Sequence, residues 1–528
     1  MPGNSSGSSL RSSCDRVRHA GQAACGVSAP ELTPESAACV RRAALPRRIR
    51  HGFDGCGGVR HRVPVSAPPT APRKNEEIEL MVESLALGGR GVAHRDGFVV
   101  FVDDALPGDR VRARVFRRRE RFAEARAVER LDASPLRVEA PCGHYRAREC
   151  GGCRFQDLEY AHQLAAKEAQ VRETLAHLGG FADPHVQPIV GSPERFRYRN
   201  KMEFSFHPDL NGAPVLGLHR RGRYDQVFAL DSCWLATELT NRVVAHTQRF
   251  AAAHAWPAYH SVRHTGVARF LVVRHLQSSG QALVNLVAAA DEIPHLERWA
   301  AEIAGLDPAI RGVVLNINPS RANIAFGEPG KERVLAGSPV IQEHLHGLVF
   351  EAGANAFLQT NSRQAEALYA CALDEAEISP RTRVLDLYCG AGTITLLAAQ
   401  RAQAALGFEM VEDAVRAAER NATQNGVTNV RFRLGEARRL LREWDEAWKP
   451  DVVIADPPRA GLHERVVDRI AGLEPQRVVY VSCNPATLAR DLAGLVAHGY
   501  VLDRARPFDL FPHTPHIEVV ARLTRAPD

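Results

Sequence analysis

The chain contains no apolar run of the ~20 residues that a membrane-spanning helix needs, so no contact with the membrane interior is expected. It also lacks the continuous apolar core of a secretory signal. A global excess of charge is missing too. Residues 1–75 hold 12 Lys/Arg against 4 Asp/Glu, which leaves 55 against 57 in the rest of the chain. Any nucleic-acid contact must therefore come from local basic patches. Eleven cysteines in so long a chain do not form a secreted disulfide scaffold, and Cys14, Cys25, Cys39 and Cys56 are scattered without ligand spacing. No internal repeat is present.

What is there suggests about three domains in 528 residues, with the 45% apolar content of a globular protein. Residues 1–75 are rich in Ser, Gly, Pro, Ala and Arg and read as a disordered extension. The expectation is a dispensable segment or a start codon placed too early; the Arg-rich, acid-poor composition also fits a transit peptide. Residues 76–131 read as a small β-barrel with nine arginines between 110 and 130, a type that often binds RNA. Residues 132–190 form a cysteine-rich segment and a helix, capped at Asp157 and stopped at Gly179-Gly180. Within it, Cys142, Cys150 and Cys153 stand among glycines that let three sulfurs converge, and Cys233 is a candidate fourth ligand. Four thiolates suit zinc or an iron–sulfur cluster.

Residues 191–344 read as a central α+β domain. Its alternation from Arg195 to Phe206 predicts a strand with Arg195, Arg197, Arg199 and Lys201 on one face, available to an RNA backbone, and aromatic residues on the other. From 345 to 528 strands and helices alternate, the pattern of a doubly wound, Rossmann-like α/β domain. There Val384 to Thr395 runs from a strand through Gly390 and Gly392 into a helix, a turn that faces a nucleotide-type ligand. A dinucleotide fingerprint would place a third glycine where Thr395 stands, which argues against NAD. Glu409 ends the next strand, 23 positions after Asp386, where an acid can take both ribose hydroxyls. Glu436 is placed to reach an adenine edge. The combination favours S-adenosylmethionine. Cys371 reads as a packing residue, and Cys389 sits inside the glycine turn, where a small side chain is needed. Cys483, in Val481-Ser482-Cys483-Asn484-Pro485, presents a thiol at a strand's carboxyl end, where open α/β sheets place their chemistry.

Ser482-Cys483-Asn484-Pro485 with Thr487, Leu488, Arg490 and Asp491, then Asp456-Pro457-Pro458-Arg459, then His516-Ile517-Glu518, resemble the signatures of the RNA uracil-C5 methyltransferases that make 5-methyluridine. The resemblance spans roughly residues 76–528. It is closest to the branch with an N-terminal TRAM (OB-like) barrel and a four-iron cluster, which contains the 23S ribosomal RNA enzymes. It implies Cys483 as nucleophile and Glu518 as general base. It implies Gln359, Tyr388, Thr393, Glu409 and Asp456 as S-adenosylmethionine residues, and Cys142, Cys150, Cys153 and Cys233 as ligands of a [4Fe-4S] cluster. Seven residues separate Cys142 from Cys150, where the family's spacing is commonly shorter.

The chemistry agrees with these residue types. A thiolate added to carbon 6 of uracil makes carbon 5 nucleophilic, and a base must then remove the carbon-5 hydrogen before the thiol can leave. Asp456 or Arg459 would orient or polarise the base. An amino-group methyltransferase needs no thiol and usually has an aromatic residue where Arg459 stands. A catalytically inactive RNA-binding scaffold would not need Cys483, Glu518 and Gln359. The expectation is a cytoplasmic monomer acting on RNA, ribosomal in preference to transfer RNA.

Overall fold

Apolar residues alternate along Glu77–Met81, Phe98–Asp103 and Arg110–Arg118. With Ser84–Leu85, Gly91–Arg95 and Phe122–Asp132 these strands form one six-stranded sheet around a single core that includes Ile78, Val100, Val111 and Ala125. The computed structural model describes residues 71–328, 330–444 and 448–527, so most of the 1–75 extension, with its four cysteines, lies outside the described residues. The arginines of this sheet are less available than their number suggests. Arg110 pairs with Glu79 and Asp132, Arg112 with Glu129, and Arg114 with Glu77. Arg118, Arg119 and Arg121, around the hairpin before Phe122–Asp132, carry no ion pair among the described residues.

The central domain is a seven-stranded sheet in the order Glu332–Gly337, Ile310–Ile317, Gln281–Ala288, Ala268–Leu276, Lys201–Pro208, Pro214–Arg220, Arg223–Ala229. Residues of helices Glu238–Ala253 and Leu296–Ala304 share its main core. The expected strand from Arg195 is corrected here. The strand begins only at Lys201, and Arg197 has a φ of +59°, which breaks an extended run. Nor do its basic residues form a free face. Arg197 donates to the carbonyls of Cys233 and Ala236 and pairs with Glu238. Arg199 turns towards the Phe511 ring, and Lys201 pairs with Glu203 at 2.8 Å. Arg195 alone stays exposed, its guanidinium 4.6 Å from the centre of the Tyr160 ring.

The helix predicted from Asp157 runs over Tyr160–Gly179, behind Glu159, and ends on Gly180 at φ +72°. Asp157 is not its cap because Arg137 and the Tyr145 hydroxyl take its carboxylate. No helix among the described residues is long and apolar enough to cross a membrane.

The last sheet has the order Val430–Leu434, Ala404–Glu409, Arg383–Leu387, Val452–Ala455, Arg477–Ser482, Glu518–Arg525, Tyr500–Phe508. The first five strands are parallel, and Glu518–Arg525 runs antiparallel to both of its neighbours. Successive residues alternate between two cores. Leu385, Val453 and Val478 face one; Val384, Val452 and Val479 face the other. That double burial explains the nearly continuous apolar runs of these strands. The strand order reverses beside Arg383–Leu387, and sheets of this kind hold their ligands at the carboxyl ends there.

Candidate active site

The turn after Arg383–Leu387 takes three residues into left-handed conformations: Tyr388 (φ +67°), Gly390 (+55°) and Gly392 (+83°). At Gly392 a side chain is excluded as well as strained, because a Cβ would lie 3.0 Å from both Ala418 Cβ and Phe432 Cζ. Cys389 is buried within the turn, as expected. The helix Thr393–Ala399 follows, with Thr393 at its first position. Thr395, which stands where a dinucleotide site wants glycine, donates its hydroxyl to Asp386 Oδ2 at 2.6 Å.

Glu409 is fixed against this turn. One carboxylate oxygen accepts from Gly390 N at 3.0 Å, and the other from Met410 N at 2.7 Å and Val411 N at 2.9 Å. Asp456 enters from the other neighbouring strand. Burial lifts both Asp386 and Asp456 to about 7; the charges of Asp456 and Glu409 add to the effect at Asp386. Burial also pushes the Tyr388 hydroxyl up to about 12, helped by Glu436, Asp491 and Glu409. Glu436 itself is exposed and pairs with Arg438. Carboxylates thus gather at the carboxyl ends of adjacent strands at a cost in free energy, an arrangement that favours a nearby cation.

Cys483 follows Arg477–Ser482 directly and precedes the helix Pro485–Ala497. It is half-buried and outside any disulfide. The ladder to the antiparallel neighbour pairs Arg477 with Thr524 and ends with Ser482 opposite Val519. Cys483 and Glu518 are the next residues beyond that last pair, Cys483 in the bend that follows its strand and Glu518 the first residue of the neighbouring one. Glu518 is 3% exposed, and burial together with the Asp456 charge holds its carboxyl well above the usual range, opposed by Arg459. Arg459 Nη1 lies 3.2 Å from His516 Nδ1, and burial, with Arg459 beside it, depresses that imidazole to about 3.

The residues after Cys483 hold the Asp456–Arg459 loop. Asn484 Nδ2 donates to the Arg459 carbonyl at 3.0 Å, and Thr487 Oγ1 to the same oxygen at 3.3 Å. Arg490 donates to the carbonyls of Ala460 and Leu462, while Asp491 accepts from Leu462 N and the Tyr480 hydroxyl, each at 2.7 Å. Gln359 arrives on the segment before the helix Ser362–Ala376. Its carbonyl accepts from Asn200 Nδ2 at 2.9 Å, and the same amide donates to Ser362 Oγ at 2.7 Å. Asn200 is buried and joins the central domain to this segment; sequence reasoning passed over it as one step in a basic strand. Tyr369 was missed as well. It is buried among the charges of Asp456, Glu518 and Asp386, which with burial push its hydroxyl far up.

The four cysteines lie outside the doubly wound sheet, on the segment 142–153 and at 233. Cys142, Cys153 and Cys233 are buried, and Cys150 partly so. Cys150 Sγ accepts from Gly152 N at 3.3 Å, and Cys153 Sγ from Gln156 Nε2 at 3.1 Å. Cys153 and Cys233 share the central core. His144, beside Cys142, lies 3.2 Å from Asp231 N on the Cys233 segment. Among the described residues, no group of three or more His, Cys, Asp or Glu side chains is arranged to hold a metal ion.

Residues 73–128 match the TRAM domain, and residues 159–526 match the tRNA (uracil-5-)-methyltransferase family. An uncharacterized RNA methyltransferase of Nitratidesulfovibrio vulgaris is 40% identical over 453 residues, covering 85% of this chain and 96% of the relative. One of Bacillus cereus is 36% identical over 459 residues, 87% of this chain and 98% of the relative. Among solved structures, the Pyrococcus abyssi tRNA (uracil-54, C5)-methyltransferase in complex with S-adenosyl-L-homocysteine matches with a TM-score of 0.68 and 29% identity. That match covers 84% of this chain and 99% of the other. With the family model matched over most of its length and relatives of this identity, the chain belongs to the tRNA (uracil-5-)-methyltransferase family and carries a TRAM domain at its N-terminal end.

Proposed function

We propose that this enzyme methylates carbon 5 of a uridine in 23S ribosomal RNA through a covalent Cys483 adduct. The observation that carries the reading is the ladder that ends with Ser482 opposite Val519, so that Cys483 and Glu518 are the next residues on the two adjacent strands, beside the carboxylates at the switch of the sheet. Bound there, the cofactor supplies an electrophilic methyl group. Glu409 would take its ribose hydroxyls, and Tyr388, Thr393, Gln359 and Asp456 would hold the remainder. The Cys483 thiolate adds to carbon 6 of the uracil ring, and carbon 5 becomes the nucleophile. Arg459, exposed at the mouth of the site, polarises the uracil oxygen on which charge develops. Glu518 then removes the carbon-5 hydrogen, the carbon 5–carbon 6 double bond re-forms, and the thiolate leaves.

Ribosomal RNA is preferred because the TRAM domain and the four cysteines resemble the branch that contains the 23S enzymes. The fit to a tRNA (uracil-54, C5)-methyltransferase favours transfer RNA as a second reading. Mapping 5-methyluridine in total RNA from a strain lacking the gene separates them. Loss of a single 23S position is expected; loss confined to transfer RNA would overturn the target, and no loss at all would overturn the reaction. Binding to either RNA should fall steeply with salt, since Arg118, Arg119 and Arg121 meet phosphates as point charges.

Cys142, Cys150, Cys153 and Cys233 are proposed to hold a [4Fe-4S] cluster. Four irons spread their thiolates over the corners of a cube, farther apart than the ligands of one zinc ion. What supports the reading is the resemblance to the branch that carries such a cluster, with Cys142, Cys153 and Cys233 buried and none of the four in a disulfide. Anaerobically purified protein is expected to be brown, with about four irons and matching sulfide per chain. A colourless protein with one tightly held zinc would contradict this and leave the catalytic reading intact.

The raised carboxylates make cofactor binding pH-dependent. Folding favours the protonated forms of Asp386 and Asp456, so their contribution to stability is full below the ordinary value of 3.8 and is lost as pH rises through about 7. A cation in the crevice offsets that loss. The affinity for S-adenosylmethionine should therefore rise roughly tenfold between pH 6 and pH 8, with proton release. S-adenosylhomocysteine lacks the sulfonium charge and should show a shallower slope. Calorimetry in buffers of different ionisation enthalpy checks both, and equal slopes would remove the counter-charge role.

A further inference from the structure

Glu518 opens its strand and is paired on one side only, opposite Phe508, so the segment before it also sets its position. That segment, Asp509 to Ile517, is gripped from outside the sheet by the helix Tyr160–Gly179 and the cysteine-bearing segment. Lys167 Nζ donates to Asp509 Oδ1 at 2.6 Å and to the Phe511 carbonyl at 3.2 Å; the two side chains of this pair are 1% and 0% exposed. Gln163 Oε1 accepts from His513 N at 3.0 Å. Gln163 Nε2 is shared among His513 Nδ1 at 3.2 Å, the Phe155 carbonyl at 3.0 Å and the Leu158 carbonyl at 2.8 Å. The His513 carbonyl accepts from Arg154 N at 2.8 Å and Phe155 N at 3.1 Å, just after Cys153. The Phe196 ring stacks on the His513 ring at 4.3 Å, and the Tyr198 hydroxyl donates to the Pro512 carbonyl at 3.1 Å. His513 itself is held at φ +66°. Such conformations persist where the surroundings over-determine them, and they cluster at working sites.

The sheet needs none of these contacts, because Glu518 is paired with Phe508 and Val519 onward with both neighbouring strands. We infer that Gln163 and Lys167 are positioning residues for Glu518, and that loosening their grip slows removal of the carbon-5 hydrogen more than methyl addition. This rests on the reading of Glu518 as the base. A misplacement of the base by about 1 Å can cost about 100-fold in rate, whereas neither Gln163 nor Lys167 hydrogen-bonds to the glycine turn or to Glu409.

The test uses the full chain with two variants, Gln163→Leu and the double exchange Lys167→Met/Asp509→Leu. The second replaces a buried ion pair by apolar side chains of similar size, a change that folds tolerate. Each is incubated with methyl-labelled cofactor and total RNA from a strain lacking the gene, beside wild type and Glu518→Gln. Three quantities are read: kcat against KM for RNA, the fraction of enzyme in a denaturation-resistant adduct that carries the label, and cofactor affinity. The expected result is kcat lower by about 10- to 100-fold, KM and cofactor affinity within about threefold, and an adduct fraction above wild type. A folded variant with wild-type turnover overturns the inference, and so does a lower kcat without more adduct. If Glu518→Gln also fails to accumulate adduct, the assignment of the base has failed; if it accumulates adduct while both variants do not, the clamp alone has failed.

Discussion

Replacing Cys483 by alanine is expected to lower methyl transfer by at least about 10⁴-fold while S-adenosylmethionine binds as in wild type. Carbon 5 of uracil is a weak nucleophile, and without addition at carbon 6 nothing on this chain raises its electron density. The thiol stands at the end of Arg477–Ser482, whereas the cofactor turn follows Arg383–Leu387, with Val452–Ala455 between them in the sheet. Loss of the sulfur should therefore leave the cofactor crevice intact. Calorimetric binding together with transfer of labelled methyl to RNA gives both readings. Turnover by Cys483→Ala at more than about 1% of wild type would remove covalent catalysis.

The second large effect is expected for Glu518→Gln. Addition and methylation proceed, but the carbon-5 hydrogen has no acceptor, so turnover falls by about 10²- to 10⁴-fold and a methylated protein–RNA adduct accumulates. Burial and the Asp456 charge hold the Glu518 carboxyl well above its ordinary range. Elimination requires the deprotonated form. In wild type the release of product should accordingly accelerate as pH rises through that raised value, and the glutamine variant should lose this dependence. Rapid release of methylated RNA by Glu518→Gln would assign the base to another residue.

The parts of the protein that were legible in the sequence are those where local pattern and tertiary role coincide. The glycine turn at 390–392 needs left-handed backbone, and Glu409 ends the following strand, so both stand out from spacing alone. The Cys483 segment reads as a strand that stops, and it is one. The Arg195–Lys201 alternation misled because alternation reports a face and not what covers it. Here the covering groups are the Cys233 and Ala236 carbonyls, Glu238, Glu203 and Phe511, all distant in sequence except Glu203. The strand arginines of the TRAM domain are less available than their number suggests for the same reason, since their partners Glu77, Glu79 and Glu129 sit on neighbouring strands. Thr487, Arg490 and Asp491 looked like parts of a nucleophile motif. Their hydrogen bonds go to the loop after Asp456, a support that no local pattern announces. Lys167 in the middle of a helix would ordinarily be exposed; only the fold brings Asp509 to it.

The most direct test of the account uses RNA in which uridine is replaced by 5-fluorouridine. Fluorine at carbon 5 leaves no hydrogen for Glu518 to remove, so the reaction must stop after methyl transfer with the thiol still attached. Intact-mass measurement should find wild-type protein joined to RNA and one methyl group, and peptide mapping should place the bond on Cys483. Formation of 5-methyluridine on ordinary RNA by the same preparation, with no bond between Cys483 and the fluorinated RNA, would contradict the covalent mechanism.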